Sequence, residues 1–364
     1  MGGVYKRPGK GELMSETPDT NDDARSGHSA GPDGDPPAGD PQAEPTRHNR
    51  KRRPSRMMIT LGSLLGVVIL VVAGVFAYVN FVESSIPRVH VNHLVALPGL
   101  LGATFLINTA VVAPAGMTPA QAAEFGAGNL IMLLHTNANG DGGGSVSMPG
   151  SVMLPVPGHG TEPLWEAFAQ GGPSLLVQTL TQSTGISINH YARVDFAHIT
   201  ALVDAVGGVD VTLPAATAGA GYSFPQGVNH LTGITAVNYA RDPFITPQDR
   251  LERQENLFRT LITTIAGDQL FTHPLTTVHV LSAVTTMLAV DSNFTNADID
   301  SLVKQFGSLS ADAATFLTAP TQTMGNNQVL VPALDNPLWA AVKNGSLAAY
   351  AKDNPSTVTP ADAP

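Results

Sequence analysis

Cysteine is absent from the 364 residues of this chain, which excludes disulfide bridges, thiolate metal ligands and thiol redox chemistry. The chain also lacks a Gly-x-x-x-x-Gly-Lys-[Ser/Thr] phosphate loop, a His-Glu-x-x-His zinc motif and a Gly-x-Ser-x-Gly nucleophile elbow. Its isolated histidines do not have the spacing of metal ligands. We assign structural or surface roles to His135, His159, His190, His198 and His230.

Positive charge is scarce in most of the chain. The net charge is −10, and the part after residue 80 contains nine Lys and Arg against twenty Asp and Glu. Between Phe105 and Trp165 there is no Lys or Arg at all. Because nucleic-acid binding needs a basic surface, this acidic balance argues against it.

The N-terminal part differs from the rest in composition. Residues 1–46 are rich in Gly, Pro, Asp, Ser and Thr and too poor in apolar residues to form a core, so we predict that residues 1–56 are a disordered tail. A basic run at 47–56 precedes residues 57–79, which contain no charged residue. That length suits a transmembrane helix. The basic residues on one side place the tail in the cytoplasm and the part after about residue 80 outside the cell membrane.

The remaining chain is predicted to be an α/β domain at 101–346, between a stalk at 80–100 and a disordered tail at 347–364. A helical stretch is expected from about Pro173 to Gly185, and a strand at 328–334. In ISINHYARVDFAHITALVDAVGGVDVTLP, a strand is followed by apolar residues at helical spacing and then by alternating Val209, Val211 and Leu213. A strand, helix and strand in about 25 residues predict a crossover between parallel strands of one sheet.

The most informative stretch is LTGITAVNYARDPFITPQDRLERQENLF, which contains Arg241, Arg250 and Arg253. These are three of the nine basic residues after the predicted span, and Arg250 and Arg253 lie on the first turns of a predicted helix. Guanidinium groups match the geometry of phosphate oxygens, so the cluster predicts an anion site. The alternative is a set of surface ion pairs with the neighbouring acids Asp242, Asp249, Glu252 and Glu255.

Three segments together resemble one known family. INHYARVDFAHITALVDAVGGVDVTLP (188–214) is similar to its strand–helix–Gly-Gly-Val–strand block. GVNHLTGITAVNYAR (227–241) is similar to its G-x-x-x-L-x-G-x-x-A-x-x-Y-x-R segment, and DRLERQENLF (249–258) to its D-R-x-x-R-Q helix start. The order and spacing match as well. On these residues the chain resembles the LytR-CpsA-Psr (LCP) family, with weaker similarity from about residue 101 to 347.

The resemblance implies a fold and a chemistry. LCP proteins have one membrane span followed by a three-layer αβα domain with a central mixed β-sheet. They are phosphotransferases that move a glycopolymer from a polyprenyl-pyrophosphate carrier to a peptidoglycan hydroxyl, with the lipid in an apolar tunnel, arginines on the pyrophosphate and carboxylates on Mg²⁺. Matched residue by residue, the resemblance makes Arg241, Arg250 and Arg253 the phosphate-binding residues.

Several family motifs are not retained in this sequence. The second arginine after the tyrosine is replaced by Pro243, and the Gly-Ser-Asp-x-Arg segment corresponds to residues 110–114, AVVAP. The Arg-x-Asp-Thr, Pro-Arg-Asp and Lys-Ile-Asn motifs correspond to AGNL at 127–130, PGS at 149–151 and PLW at 163–165. These segments contain no Asp or Arg to bind a metal or a pyrophosphate.

The acids that remain do not occupy motif positions. Between Phe105 and Trp165 they are Glu124, Asp141 and Glu162. Each lost charge-assisted contact removes about 1.5–3 kcal/mol of binding. We therefore predict no metal site and no cofactor.

The sequence thus predicts a membrane-anchored LCP-like protein of the cell envelope whose catalysis is impaired. Its expected partners are the cell membrane, a polyprenyl-phosphate-linked glycopolymer and peptidoglycan, without nucleic acid. Two alternatives stay open. One is an active glycopolymer–peptidoglycan phosphotransferase with a rearranged site, and the other is a module that binds a polyprenyl lipid or a partner protein.

Overall fold

The computed structural model describes residues 84–362 with gaps, and the predicted tail at 1–56 and span at 57–79 lie outside the described residues. Among the helices that it describes, none combines the length and the apolar character needed to cross a bilayer. The gaps are residues 110–115, 117, 119, 121–125, 127, 141, 196–197, 220–221, 243–244, 268–273, 300, 302–313 and 326.

A mixed sheet of seven strands organises the described part of the domain, in the order β1-β12-β7-β2-β3-β4-β13. The pairs β1–β12, β2–β7 and β4–β13 are parallel, and the pairs β2–β3, β3–β4 and β7–β12 are antiparallel. The strands of this sheet are β1 (Arg88–Val89), β2 (Thr104–Asn108), β3 (Leu130–Thr136), β4 (Gly143–Pro149), β7 (His190–Val194), β12 (Leu288–Asp291) and β13 (Ala314–Thr318).

Further strands pair two by two outside the central sheet. The pairs are β5 with β6, β8 with β11, β9 with β10 and β14 with β15, all antiparallel. Their ranges are β5 (Met153–Val156), β6 (Gly160–Pro163), β8 (Val209–Leu213), β9 (Thr217–Gly219), β10 (Tyr222–Phe224), β11 (Gly227–Leu231), β14 (Thr321–Met324) and β15 (Asn327–Leu330).

Helices cover both faces of the central sheet. They are α1 (Leu164–Thr184), α2 (Ile199–Ala205), α3 (Gly233–Ala240), α4 (Pro247–Gly267), α5 (Pro274–Met287), α6 (Pro332–Lys343) and α7 (Leu347–Asp353). Because side chains alternate along a strand, Phe105 and Ile107 pack with α2 to α5 on one face, whereas Leu106 packs with α1, α6 and α7 on the other. The predicted α/β fold with a central mixed sheet is confirmed.

Strand β1 brings the chain into the sheet. Its neighbours Ile86 and Val91 are buried, so the interpretation of residues 80–100 as a stalk is wrong for the part that the structure describes.

We call the edge at which β2 ends and β3 begins the upper edge. β1 is parallel to β12, β12 is antiparallel to β7, and β7 is parallel to β2. β1 therefore runs away from the upper edge, and Ser84 leads into it from that side.

The predicted crossover between parallel strands of one sheet is wrong. β7 belongs to the central sheet, α2 follows at Ile199–Ala205 as expected, but β8 leaves the sheet and pairs with β11. The alternating pattern in β8 correctly marks one buried face, with Val209, Val211 and Leu213 in the core. It carries no information about which strand is the partner.

One other helix is longer than predicted, and one strand is shorter. Helix α1 begins at Leu164, and Gly172, at φ 62°, breaks it, so that its second part begins at Pro173 as predicted. Its end is as predicted, since Gly185 adopts the left-handed conformation at φ 65°. The strand predicted at 328–334 is shortened to Asn327–Leu330, because Pro332 opens α6.

Residues 347–364 are not a disordered tail in the part that the structure describes. Leu347–Asp353 forms helix α7, with Leu347 and Tyr350 buried, and Pro355–Thr357 forms a short 3-10 turn. Val358 then bridges to Leu317 of β13. The prediction failed because these residues are stabilised by contacts distant in sequence, which local composition does not record.

Candidate functional site

Helix α4 carries two of the predicted arginines on its first turns, close to the upper edge. The Asp249 amide donates a hydrogen bond of 3.1 Å to the Thr246 Oγ1, so Thr246 caps the helix that begins at Pro247. Pro247 has no amide hydrogen to lose at this position. The local sequence therefore fixes where the helix begins and, through the helical repeat, which way Arg250, Arg253 and Gln254 project.

Arg250 is nearly enclosed but incompletely paired. Its side chain is 9% exposed, and Nη2 donates to the Ile245 carbonyl at 3.4 Å. Within the described residues its Nε is buried without an acceptor. A buried guanidinium nitrogen with no partner is unusual, because such donors ordinarily find one. Arg250 thus retains capacity to bind an anion.

Gly128 provides the space for Arg250. A Cβ at position 128 would lie 2.5 Å from Nη1 and 3.0 Å from Cδ of Arg250. Backbone therefore packs directly against the guanidinium, just before β3 begins at the upper edge. Residue 128 falls in the segment where the family has its Arg-x-Asp-Thr motif, so glycine here admits the arginine of α4 into that space.

We expect Gly128→Ala to lower the free energy of unfolding by about 1–3 kcal/mol, because the added methyl group forces the Arg250 side chain to move. Urea unfolding of the full chain measures this loss. In an Arg250→Ala background the same substitution should cost less than about 0.5 kcal/mol, since the obstructing side chain is gone. Equal losses in both backgrounds would show that the contact is not what restricts position 128.

Gln254 ties α4 to the upper edge. Its Nε2 donates to the carbonyl of Gly128 at 2.7 Å and to that of Ala240 at 3.2 Å. The hydroxyl of Thr109 donates to Oε1 at 3.4 Å and accepts from the Leu130 amide at 2.7 Å. One buried carboxamide thus joins α4 to the end of α3, to the end of β2 and to the start of β3.

Arg253 is directed into the protein. It is 0% exposed, Nη1 lies 3.3 Å from Asp242 Oδ2, and Nη2 donates to the Thr217 hydroxyl at 3.1 Å. Its guanidinium also stacks over the Tyr239 ring, 5.1 Å from the ring centre. These contacts enclose the cation in the core, so its role here is to hold α4 against α3 and β9.

Arg241 is half-buried beside a pocket of about 220 Å³ whose other lining residues are Tyr222, Val237 and Asn238. The residue ends α3, and its amide donates to the Val237 carbonyl at 3.0 Å. Burial raises the pKa of Tyr222 to about 12, with a hydrogen bond to Asp242 adding to the shift, so the phenol stays neutral. Arg241 therefore presents its charge next to a neutral aromatic side chain.

Two acids of this stretch are held inside the protein rather than in surface ion pairs. Asp242 does pair with Arg253, but both are buried. Glu255 is 0% exposed and accepts a hydrogen bond of 2.8 Å from the Thr359 hydroxyl. The structure thus separates the three predicted arginines into one enclosed ion pair at Arg253 and two side chains, Arg241 and Arg250, that face other surroundings.

The described residues do not fit a magnesium site. Mg²⁺ needs octahedral oxygen ligands, with at least one or two carboxylates. Around Arg250 the polar contacts are carbonyls and the Gln254 amide, whereas Asp242 is held by Arg253 and Glu255 by Thr359. Across the part of the chain that the structure describes, no three His, Asp or Glu side chains converge as metal ligands.

The sequence model of the LytR_cpsA_psr family matches residues 126–344 of this chain. The chain belongs to the LytR-CpsA-Psr family. The matched region begins just before Gly128 and includes all three arginines. It ends within the loop that precedes α7.

Curated relatives include proteins of cell wall synthesis. The chain is 27% identical to the probable cell wall biosynthesis protein LcpB of Corynebacterium glutamicum over 61% of this chain and 56% of the relative. It is 35% identical to the polyisoprenyl-teichoic acid–peptidoglycan teichoic acid transferase TagU of Enterococcus faecalis over 30% of this chain and 37% of the relative. The LCP chain described here thus spans about half or less of the length of these relatives.

Solved LCP structures share the fold. TagT bound to LIIa-WTA superposes with a TM-score of 0.55 at 17% identity and covers 72% of this chain and 100% of its own. The LytR-Csp2A-Psr enzyme from Actinomyces oris has a TM-score of 0.55 at 18% identity and covers 71% of this chain and 96% of its own. At these identities the similarity establishes the architecture alone.

Sequence reasoning identified the arginines but missed the residues that position them. Gln254 lies within the quoted D-R-x-x-R-Q helix start, yet its role as a cross-link between α4 and the sheet was not inferred. Gly128 stands at the variable position of the family's Arg-x-Asp-Thr segment, so the sequence offered no signal for its role. Both roles depend on contacts between segments more than 100 residues apart, which spacing along the chain does not encode.

Proposed function

We propose that this LCP protein binds a polyprenyl-phosphate-linked glycopolymer at the outer face of the cell membrane and transfers it to peptidoglycan poorly. The observation that carries the proposal is the nearly enclosed Arg250, whose Nε has no acceptor among the described residues. A phosphate oxygen is the acceptor that a guanidinium donor best fits. Arg241 supplies a second positive charge at the end of the neighbouring helix α3.

The impairment follows from the chemistry that is missing. Phosphoryl transfer relies on neutralising charge with arginines and Mg²⁺. The segment from Phe105 to Trp165 contains no Arg or Lys, while Asp242 pairs with Arg253 and one oxygen of Glu255 accepts from Thr359. Arg253, the third arginine of the resemblance, supports the site from within the core in this proposal.

Membrane anchoring is part of the proposal. It rests on the uncharged run at 57–79, which follows a basic segment, and on the direction of β1. This strand begins on the side of the upper edge, so Ser84 lies on that side. Arg250 and Gly128 lie at the same edge. Three strand spacings separate β1 from β2, or about 14 Å, so an anchor that precedes Ser84 would keep the site close to lipid head groups.

A binding assay with the full chain in lipid nanodiscs and a polyprenyl-pyrophosphate oligosaccharide tests the phosphate site. We expect Arg250→Ala to weaken binding by roughly 10–100-fold, the loss of one or more charge-assisted hydrogen bonds of about 1.5–3 kcal/mol. The matched control is Arg193→Ala, which removes an exposed arginine on β7. Equal affinity for the wild type and Arg250→Ala would contradict the assignment of Arg250.

A transfer assay separates the proposal from active catalysis. The full chain is incubated with the same oligosaccharide, peptidoglycan and Mg²⁺, and TagU of Enterococcus faecalis is the positive control. Robust magnesium-dependent turnover by this chain, abolished in Arg250→Ala, would establish the active phosphotransferase with a rearranged site and refute the impairment. The similarity to a TagU over 111 residues keeps this second candidate in view.

A further inference from the structure

Residues 355–362 form a strap across one edge of the sheet and the middle of α4. The strap begins with the 3-10 turn Pro355–Thr357, and Val358 then bridges to Leu317 of β13. The Thr359 amide donates to the Phe316 carbonyl at 3.0 Å. Asp362 ends the strap in a bridge to Thr212 of β8. The strap therefore covers the outer edge of β13, which would otherwise present unpaired backbone groups.

Arg259 of α4 holds the strap by its backbone. Its Nη2 donates to the Thr359 carbonyl at 2.9 Å, and its Nη1 donates to the Pro360 carbonyl at 3.0 Å. The guanidinium stacks over the Phe316 ring, 4.6 Å from the ring centre. Arg259 is thus engaged by the strap and β13, and no carboxylate of the described residues lies within salt-bridge distance of it.

Glu255, one helical turn before Arg259, lies beneath the strap. Its Oε2 accepts from the Thr359 hydroxyl, which is also 3.0 Å from the Thr318 hydroxyl. Its Oε1 is buried and has no hydrogen-bond partner among the described residues. The carboxyl group is 0% exposed, so only movement of the strap or the helix would bring water to it.

Burial raises the pKa of Glu255 to about 7, against smaller opposing effects of the Thr359 and Ser147 hydroxyls and of the Arg259 charge. Glu252 raises it further. The two charged residues that affect this pKa, Arg259 and Glu252, both lie on α4 itself. The groups that face Glu255 from the strap and from β4 are hydroxyls, which can stabilise a protonated carboxyl without requiring a charge.

We propose that the strap is a pH-sensitive clasp, closed over the edge of β13 while Glu255 is protonated and released when Glu255 loses its proton to water. Ionisation places an unpaired negative charge in the core, whereas release of the strap lets water reach the carboxylate. The strap lies beyond the family match at 126–344, so the family match carries no information about it. The proposal does not depend on whether Arg250 binds phosphate.

The direction of the pH effect follows from linkage. A carboxyl whose pKa is higher in the closed state binds its proton more tightly there, so closure is favoured at low pH and weakened as pH rises towards about 7. With an ordinary pKa of about 4.3 in the open state, the closing equilibrium should weaken on the order of 50-fold between about pH 5 and pH 8.5.

Hydrogen exchange of the full chain measures the closing equilibrium at the Thr359 amide. After correction for the intrinsic exchange rate, we expect its protection to fall on the order of 50-fold from about pH 5 to pH 8.5 in the wild type. Glu255→Gln should keep the strap closed with no dependence on pH, because the amide cannot ionise. Glu252→Gln is the matched control on the same helix and should retain most of the wild-type profile.

Thr359→Val provides a second variant, since it removes the hydroxyl donor while preserving shape. We expect lower protection of the residue 359 amide at both pH values and a smaller pH dependence. The clasp is refuted if wild-type protection is the same at both pH values, or if Glu255→Gln keeps the full pH dependence. It is also refuted if Thr359→Val leaves the protection unchanged.

Discussion

Arg253→Ala is expected to lower the free energy of unfolding by about 3–5 kcal/mol, the loss found when one partner of a buried ion pair is removed. The substitution leaves Asp242 buried without its cation and removes the group that stacks on Tyr239. Urea unfolding of the full chain, analysed by linear extrapolation, measures the change. The effect should be present without any ligand.

The control for this prediction neutralises the other partner. In Arg253→Ala/Asp242→Asn neither charge of the pair remains. The free energy of unfolding should therefore fall by less in the double variant than the sum of the losses in Arg253→Ala and Asp242→Asn. A loss of less than about 1 kcal/mol in Arg253→Ala alone would be typical of an exposed pair. It would contradict the enclosed position of the pair.

Gln254→Ala is the second substitution with a large expected effect, about 2–4 kcal/mol of unfolding free energy. It leaves the buried carbonyls of Gly128 and Ala240 without their donor, and each unsatisfied group costs about 1–3 kcal/mol. Because the same amide joins α4 to β2 and β3, phosphate binding through Arg250 should weaken as well. Thermal unfolding and the nanodisc binding assay measure the two consequences.

Gln248→Ala is the matched control on the same helix. Gln248 is half-buried, and among the described residues it donates to Glu252 alone, at 3.0 Å one turn along α4. Such a pair contributes a few tenths of a kcal/mol, so the variant should stay within about 0.5 kcal/mol of the wild type. Equal losses in Gln248→Ala and Gln254→Ala would rule out a special role for the carboxamide of Gln254.

The sequence predicts elements with strong local signals and misses those defined by distant contacts. The dipeptide Thr246-Pro247 is typical of a helix start and precedes α4, and Gly185 ends α1 as expected. The fold of the strap depends on residues far along the chain. The partner of β8 is the nearby strand β11, but the alternating pattern does not specify the partner, and neither feature was anticipated.

The candidate site was predicted in its components rather than in its arrangement. Spacing identified Arg241, Arg250 and Arg253 as a group, yet the helical repeat places Arg253 in the core while Arg250 points to Gly128. Whether an arginine is enclosed depends on Asp242, Thr217 and Tyr239, which come from two other segments, β9 and the end of α3. Charge and spacing in the sequence therefore specify a possible anion site but not which cation remains available.

The two-residue strand β1 has a mechanical consequence. A force that pulls the chain before Ser84 outwards, past the upper edge and away from the sheet, would shear β1 along β12. The resisting bonds are Val290 N to Pro87 O at 3.0 Å, Ser292 N to Val89 O at 2.9 Å and Arg88 Nη2 to Asn296 Oδ1 at 2.6 Å. Their rupture would free residues 84–90 to extend to a length of roughly 25 Å, because Asn92 stays bonded to Ser174 and Val95 to Ile188. Tension would thus lengthen the tether before it reached β2, β3 and the helix that holds Arg250.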